Sequence, residues 1–369
     1  MKLPLLILIL MSLARFTFAL DLFGYYEPQW MGAQLGDHFY NVASNKMRLD
    51  MARDLGTRVS FGANVNYITF HGKTEWNLVE YLPEDIARQI PASFQDLFVF
   101  HFGDMSQWVG PMPTPRPDRM YLDNAFATLR FKSVDLTVGK QQLGMGTGYA
   151  WKPCDLFNVK DVLDPTYEQP GHAALRMEMR LNSRFSLDSY IAPAEKVKDS
   201  ALMLKLKSHI GHFDVSVLGI RKLWQRTDYL NPHALIDPDN AFSTYRRHLV
   251  GGDIVGELFG LGVWAEGGYS FVDVQTGTGL PDLDDFWELV VGADYTFNSG
   301  LYVMGEWYHN SMLPADWRHY SLNHWMWYFT TDTKAISRDN VFGILQYPAT
   351  DLIIVGVMAI HSISDGSST

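Results

Sequence analysis

Charged side chains recur at every second position in several otherwise apolar segments of this chain. Residues 175–181 read Leu-Arg-Met-Glu-Met-Arg-Leu, and residues 202–207 read Leu-Met-Leu-Lys-Leu-Lys. Successive side chains of a β-strand point to opposite faces, so the pattern predicts strands with one apolar and one charged face. Rows of fixed charge facing each other across an enclosed space create a transverse field, which orients dipolar solutes and screens ions.

The alternation assigns these charges to the inner wall of a closed sheet. The group between residues 120 and 209 is mostly basic and comprises Arg130, Arg176, Glu178, Arg180, Asp188, Lys205 and Lys207. The group between residues 246 and 311 is acidic and comprises Asp253, Glu257, Glu266, Glu288, Asp294 and Glu306. In a closed barrel the two groups lie across the lumen and form a charged pore lining. The alternative interpretation is a plugged lumen in which the charges neutralise one another as ion pairs.

The opposite strand face is apolar, as a lipid-facing surface requires. The chain also has 11 Trp, 18 Tyr and 22 Phe, which suits the aromatic girdles at membrane interfaces. We assign one girdle to Phe131, Phe185, Phe213 and Phe297, beside the short turns, and the other to Trp224, Tyr269, Trp287 and Trp307. The pattern predicts an all-β fold: a transmembrane antiparallel β-barrel in a bacterial outer membrane, apolar towards lipid and polar towards the lumen.

About fifteen strands are visible, separated alternately by short turns and long loops. The long segments are 71–119, 143–170, 223–245, 274–284 and 312–337. Residues 94–104 have strand character, but counting them in the wall would put the short turn at 132–133 on the wrong side. We therefore assign them to a loop inside or over the mouth, in which residues 84–90 form a short helix.

The two ends of the chain carry separate expectations. Residues 1–19 have the pattern of a secretory signal peptide, with Lys2, an apolar stretch and a small-x-small site at 17–19, and the barrel occupies residues 20–369. By the turn count, the last strand, 351–363, runs in the same direction as the first, 21–29. Single-chain bacterial barrels have even strand numbers. Either one or three C-terminal strands are missing, or the strand count is wrong by one. We favour missing strands, and we therefore expect a complete barrel of 16 or 18 strands in which strands 21–29 and 351–363 do not pair.

The densest motif spans residues 138–158 and reads Val-Gly-Lys-Gln-Gln-Leu-Gly-Met-Gly-Thr-Gly-Tyr-Ala-Trp-Lys-Pro-Cys-Asp-Leu-Phe-Asn. It resembles the strand–loop junction of porin-like outer-membrane barrels and, more loosely, of alginate-export-type barrels, where a Gly-Arg/Lys-Gln strand end leads into a Pro-x-Asp-x-Phe-Asn loop. The resemblance implies that the loop folds into the lumen and narrows it. The constriction residues it implies are Trp151, Pro153, Asp155, Phe157, Asn158, Asp161 and Asp164.

Other chemistry finds little support in the sequence. No amphipathic helix or acidic ribose ligand follows the glycine run, so a dinucleotide site is not expected. Cys154 is the only cysteine, which excludes an intrachain disulfide or a thiolate cluster. Asp155, Asp161, Asp164 and Glu168 offer oxygens that suit Ca²⁺, but turn and loop roles are commoner, and we predict no metal and no cofactor. A formal net charge of −11 argues against nucleic acid as a partner.

The aromatic loop 312–337 has two interpretations. Trp317, Trp325, Trp327 and Tyr328 could stack on sugar rings, or they could pack over the barrel mouth, which we favour. No Ser-His arrangement stands out, so a barrel-embedded hydrolase is the least favoured function and no enzyme is expected.

The main expectation is a porin-like channel for diffusion of small hydrophilic solutes through a charged lumen. The alternative is a barrel that exports or binds a polysaccharide or another specific substrate. Expected partners are outer-membrane lipid, small hydrophilic solutes and, by analogy with porins alone, further copies of the chain in a homotrimer.

Overall fold

The computed structural model describes residues 20–35, 37–91, 98–103, 116–158, 171–231, 242–276, 280 and 283–363. Fifteen strands form one antiparallel sheet, in which each strand pairs with its neighbours in chain order. These wall strands are β1 (Asp21–Leu35), β2 (His38–Leu55), β3 (Val59–Gly72), β7 (Arg119–Arg130), β8 (Val134–Gln141), β9 (His172–Arg180), β10 (Phe185–Ala192), β11 (Ala201–Ile210), β12 (Phe213–Thr227), β13 (Phe242–Leu258), β14 (Leu261–Thr276), β15 (Phe286–Thr296), β16 (Tyr302–Asn310), β17 (Asp339–Thr350) and β18 (Ile353–Ser362). The predicted all-β barrel fold and the count of about fifteen strands are confirmed.

The remaining elements lie in the loops. The short strands β4 (Glu75–Asn77), β5 (Val99–Gly103) and β6 (Arg116–Pro117) form a separate three-stranded sheet. Within the described residues the helices are α1 (Glu84–Ala87) and α2 (Leu322–Phe329), with 3-10 turns at Leu78–Tyr81, Val197–Asp199 and Trp317–His319. Residues 99–103 therefore lie outside the wall, as predicted, whereas residues 94–97 fall outside the described residues. No helix in the described ranges is long and apolar enough to cross a membrane.

The first hairpin is longer than predicted. We expected strands at 21–29 and 43–52 with a loop between them, but β1 and β2 stay paired out to Leu35 and His38. The ladder continues past the expected loop because the backbone groups of residues 30–35 pair with those of residues 38–43. Within the described residues, the ladders run from β1 to β18 and none joins these two strands.

Exposure follows the predicted alternation. On β11, Leu202, Leu204 and Leu206 are exposed, while Met203 and Lys205 are buried. A similar exposed row on the neighbouring strands includes Leu175, Ile191, Val217, Val250 and Val291. This face is an aliphatic belt of the kind that contacts hydrocarbon.

Inside the wall, buried apolar residues form clusters at different heights. One cluster lies at the long-loop end, where Trp76, Leu78 and Phe98 pack with Met326 and Phe329 of α2. The others lie deeper and join the loop after β8 to the wall. Packing inside the lumen is therefore provided by loops that fold inward.

Candidate functional site

The loop after β8 lies inside the sheet and is held by two acidic side chains. We call residues 142–158 the inner loop. Glu266 on β14 is 1% exposed, and its carboxylate accepts hydrogen bonds from the backbone amides of Thr147 at 2.6 Å, Gly148 at 3.0 Å and Cys154 at 2.6 Å. These contacts join the wall to both arms of the loop.

Glu306 on β16 binds the tip of the same loop. Its carboxylate accepts from the amides of Tyr149 at 2.6 Å, Ala150 at 2.8 Å and Trp151 at 3.0 Å, and from Trp264 Nε1 at 2.8 Å. Hydrogen bonds to an ionised acceptor are shorter and stronger than neutral ones. Both carboxylates, assigned to the pore lining from the sequence, bond the inner loop and are buried by it.

The glycines of the motif allow this close approach. Gly146 has φ of +83°, and a Cβ there would lie 2.3 Å from a carboxylate oxygen of Glu266. A Cβ on Gly148 would lie 1.8 Å from the carbonyl oxygen of Trp151. The Gly-Met-Gly-Thr-Gly run therefore serves to bring loop amides onto a carboxylate, for which only glycine leaves room.

The inner loop is also braced from within by Asp155. This side chain is fully buried and accepts from the amides of Met145 at 3.3 Å, Phe157 at 2.9 Å and Asn158 at 2.9 Å. Asn158 Nδ2 in turn donates to the carbonyl of Leu143 at 2.6 Å. These hydrogen bonds make Asp155 a loop-folding residue; Asp161, Asp164 and Glu168, the other oxygen donors considered for Ca²⁺, lie outside the described residues.

The other constriction residues of the loop touch the opposite wall and the aromatic loop. The Trp151 ring stacks on Tyr308 with centroids 5.2 Å apart, and its Nε1 donates to the carbonyl of Lys334. The carbonyl of Pro153 accepts from Lys334 Nζ at 3.4 Å, and Phe157 packs edge-on against Tyr190. Asp161 and Asp164 lie outside the described residues.

Most of the basic residues of the predicted lining are paired with acids one or two strands away. Asp188 binds both Arg176, at 2.7 Å, and Lys207, at 3.0 Å. Lys205 binds Asp253 at 2.7 Å. The lining therefore combines both interpretations drawn from the sequence, because the side chains face inward and many are neutralised locally, on the same side of the lumen.

The remaining predicted charges lie nearer the short turns. Arg130 reaches Asp54 at 3.4 Å, and Asp294 accepts from the hydroxyl of Tyr302 at 3.0 Å. Glu257 is exposed on the same face of β13 as Asp253, and Arg180 has no ion-pair partner among the described residues.

A cavity of about 440 Å³ opens at the short-turn end, and we call it the vestibule. Its charged lining comprises Arg180, Arg184, Lys205, Lys207, His209, Asp214 and Asp253. Lys205 is bonded to Asp253, Lys207 to Asp188 and Asp214 to His209. Arg180 and Arg184 have no ion-pair partner among the described residues, so they supply the uncompensated positive charge of the vestibule.

A second cavity, of about 380 Å³, lies on the long-loop side of the inner loop, and we call it the polar cavity. Glu288 is its central anion and binds Arg247, Lys334 and the hydroxyl of Tyr308. Thr333 is 4% exposed, lines the same cavity, and its hydroxyl has no partner among the described residues.

The sequence interpretation missed most of the polar cavity. Lys222, Arg247, Asp332 and Lys334 were not assigned to the lumen, and Trp224 was assigned to an outer girdle. Trp224 instead faces inward, between Arg226 at 4.8 Å and Arg247 at 5.4 Å from its ring. The signal was available, because Trp224 follows Lys222 by two residues and therefore shares its face.

Two loop groups at this end have shifted pKa values. Burial raises the pKa of Asp332 to about 7, against the opposing effect of nearby Arg226 and a hydrogen bond with Trp224. Burial and then the charge of Arg226 lower the pKa of His324 to about 4. At neutral pH the imidazole is therefore neutral, and Asp332 is close to its midpoint.

Comparison with known proteins matches the fold at low sequence identity. In-vitro folded OmpT, an outer membrane protein of Vibrio cholerae, covers 95% of this chain and 91% of its own, with a TM-score of 0.51 and 10% identity. The trimer form of OmpT matches 95% of this chain and 93% of its own, with a TM-score of 0.50 and 11% identity. The high-pH structure of Pseudomonas putida OprB matches 94% of this chain and 90% of its own, with a TM-score of 0.49 and 12% identity. No protein-family model and no curated protein matches the sequence. At this identity, the OmpT likeness establishes the fold alone.

The fold and the surface together locate the protein. Its architecture is that of bacterial outer-membrane barrels, its outer face is an aliphatic belt, and its inner face is polar. This combination is stable only where lipid surrounds the wall and water or protein fills the lumen. The protein is therefore a bacterial outer-membrane β-barrel.

Proposed function

We propose that this protein is an outer-membrane channel through which small hydrophilic solutes diffuse passively. The observation that carries the proposal is the inner loop, held at mid-height by Glu266 and Glu306, with a charged cavity on each side of it. The register supports that order, because Lys205 and Asp253 line the vestibule and Lys222 and Arg247 line the polar cavity. Such a loop narrows a lumen without filling its two ends.

The charge pattern supports a selective rather than a wide pore. Both cavities carry side chains of both signs, and their volumes, about 380 and 440 Å³, suit small solutes. The vestibule adds uncompensated positive charge at Arg180 and Arg184, which attracts anions by raising their local concentration. We therefore propose that the channel admits small polar solutes and passes anions more readily than cations.

Planar-bilayer recording of the purified full-length protein tests this function. The expected result is stepwise conductance with a chloride preference that falls when Arg180 and Arg184 are replaced by Gln. A matched control is Arg318→Gln, since Arg318 lies in the exposed aromatic loop. Conductance whose size and selectivity ignore both vestibule substitutions would contradict a charged constriction.

We also propose a homotrimer, on analogy alone. One of the similar structures is described as a trimer form, and porin-like barrels commonly share walls in this way. Native mass spectrometry in detergent tests the assembly, and a monomer under conditions that preserve conductance would contradict it.

A further inference from the structure

A third cavity, of about 350 Å³, lies among the loops at the mouth and is walled by aromatic rings. We call it the aromatic cavity. Its rings are Trp151 from the inner loop, Trp317 and Tyr320 from the 3-10 turn, and Trp325 and Tyr328 from α2. The volume falls within the range of about 300–1000 Å³ that is typical of small-molecule sites. Trp317 is half exposed, so the cavity opens towards the long-loop side.

Two hydrogen-bond donors in this lining have no protein partner among the described residues. The indole nitrogen of Trp325 is inaccessible to solvent and unbonded, and so is the hydroxyl of Ser362, a residue that is 7% exposed. Both residues line the cavity. Buried donors are almost always satisfied in folded proteins, because an unmade hydrogen bond costs free energy. Both side chains border the cavity, so a ligand with acceptor oxygens would satisfy these donors when its binding turns them towards it.

The rest of the lining defines the ligand further. Asp85 lies exposed at the rim and offers a carboxylate that accepts from hydroxyl groups. Lys334 also lines the cavity, where its ammonium group is paired with Glu288 at 3.1 Å, so a quaternary ammonium compound is kept as the cationic alternative in the test. Flat rings, two donors and an acceptor fit a neutral polyhydroxylated ring, whose C–H face packs on indole and whose hydroxyls bond at its edge.

We propose that the aromatic cavity is a saccharide-binding subsite that receives one or two sugar rings at the mouth of the barrel. This inference deepens the proposed channel function and rests on it, since the bound sugar is the solute that then passes the inner loop. It also divides the aromatic loop into two roles. Trp327 is buried in the hydrophobic cluster at the mouth, whereas Trp325 and Tyr328 pack against that cluster and also line the cavity, as does Trp317.

The test is saturation-transfer NMR on the detergent-solubilised full-length protein. Maltose is the probe for a saccharide, and choline chloride is the probe for the alternative, a quaternary ammonium ligand. We expect saturable maltose binding in which the sugar C–H protons receive the strongest transfer. Trp325→Phe keeps the ring and removes the N–H, and Ser362→Ala removes the hydroxyl. Each is expected to weaken binding about three- to tenfold, the effect of losing one hydrogen bond. Trp287→Phe, on the lipid-facing side, is the matched control and should leave binding unchanged.

Several results would overturn the subsite. They are an absence of maltose binding, maltose binding that both cavity substitutions leave unchanged, and binding of choline in place of maltose. Heat-modifiable gel mobility shows that each variant is folded. Bilayer conductance of the same preparations separates the two proposals: a conducting protein that ignores maltose contradicts the subsite alone, and a non-conducting barrel that binds maltose contradicts the channel alone.

Discussion

Removing the carboxylate of Glu266 should release the inner loop, and Cys154 offers a direct reporter of that release. Cys154 is fully buried, is the only cysteine of the chain, and donates its backbone amide to Glu266 at 2.6 Å. Its thiol packs against the carbonyl of Gly267 at 3.4 Å. In the intact protein a thiol reagent therefore reaches Cys154 only when the loop leaves the wall.

The expected magnitude follows from the lost acceptor. Glu266→Ala leaves three buried loop amides unsatisfied, each costing about 1–3 kcal/mol. Taking the lower value, the bound position of the loop loses about 3 kcal/mol, which corresponds to roughly a hundredfold rise in the fraction of open loop, since about 1.4 kcal/mol is a factor of ten. If labelling proceeds through the open loop, the labelling rate of Cys154 rises by the same factor.

The assay is maleimide labelling of the folded protein in detergent, followed by intact-mass spectrometry. Glu266→Gln keeps one acceptor oxygen and should give an intermediate rate. Glu257→Ala is the matched control, because Glu257 lies on the inner face near the short turns and has no contact with the loop. Equal labelling rates for wild type, Glu266→Ala and Glu257→Ala would refute the view that this carboxylate holds the loop in the lumen.

Three further outcomes follow from the same contacts. Glu306→Ala removes the acceptor for three loop amides and an indole N–H, so the single-channel conductance should rise and become noisier in bilayer recordings; an unchanged conductance would contradict a constricting loop. Asp332 has a raised pKa of about 7, so its contribution to loop packing is complete below about pH 4 and is lost as the pH rises towards 7. The measured quantity is the rate at which a protease cleaves the aromatic loop of the wild type, divided by the rate for Asp332→Asn, and this ratio should be higher at pH 8 than at pH 5. Taking the ratio cancels the opposite effect of His324, which both proteins contain. A ratio that does not change with pH would contradict the prediction. Arg180→Glu should shift the chloride-to-potassium permeability ratio towards potassium by at least about fivefold, because each unit of charge removed or reversed changes the energy of an ion about 4 Å away in water by on the order of 1 kcal/mol. A constant ratio in reversal-potential measurements would be inconsistent with the vestibule.

The wall was predictable because a two-residue period leaves little freedom. Leu204 and Lys205 could be assigned to opposite faces from their neighbours alone, since a shift of one residue would turn every charge towards lipid. The position of residues 99–103 outside the wall was predictable as well. Between one short turn and the next, the chain must cross the wall of the barrel an even number of times, and a strand at these residues would make that number odd.

The site was harder to predict, because its contacts join segments far apart in the chain. The alternation assigned Glu266 and Glu306 to the inner face, but the pattern of a single strand does not reveal that loop amides more than 110 residues away bond them. Their burial depends on Gly146 and Gly148, whose role becomes clear only when the opposing carboxylates are known. Trp224 was wrongly assigned to the outer aromatic girdle for a simpler reason. The assignment rested on its aromatic side chain and ignored its two-residue spacing from Lys222, which places both on the inner face.

The most direct test of the central claim is bilayer recording of the folded full-length protein with and without release of the inner loop. We predict small, stable conductance steps for the wild type and larger steps when Glu266 and Glu306 are both replaced by Ala. Glu257→Ala should give steps of the same size as the wild type. A correctly folded wild-type protein that gives no steps above the lipid background, with or without the loop substitutions, would contradict it.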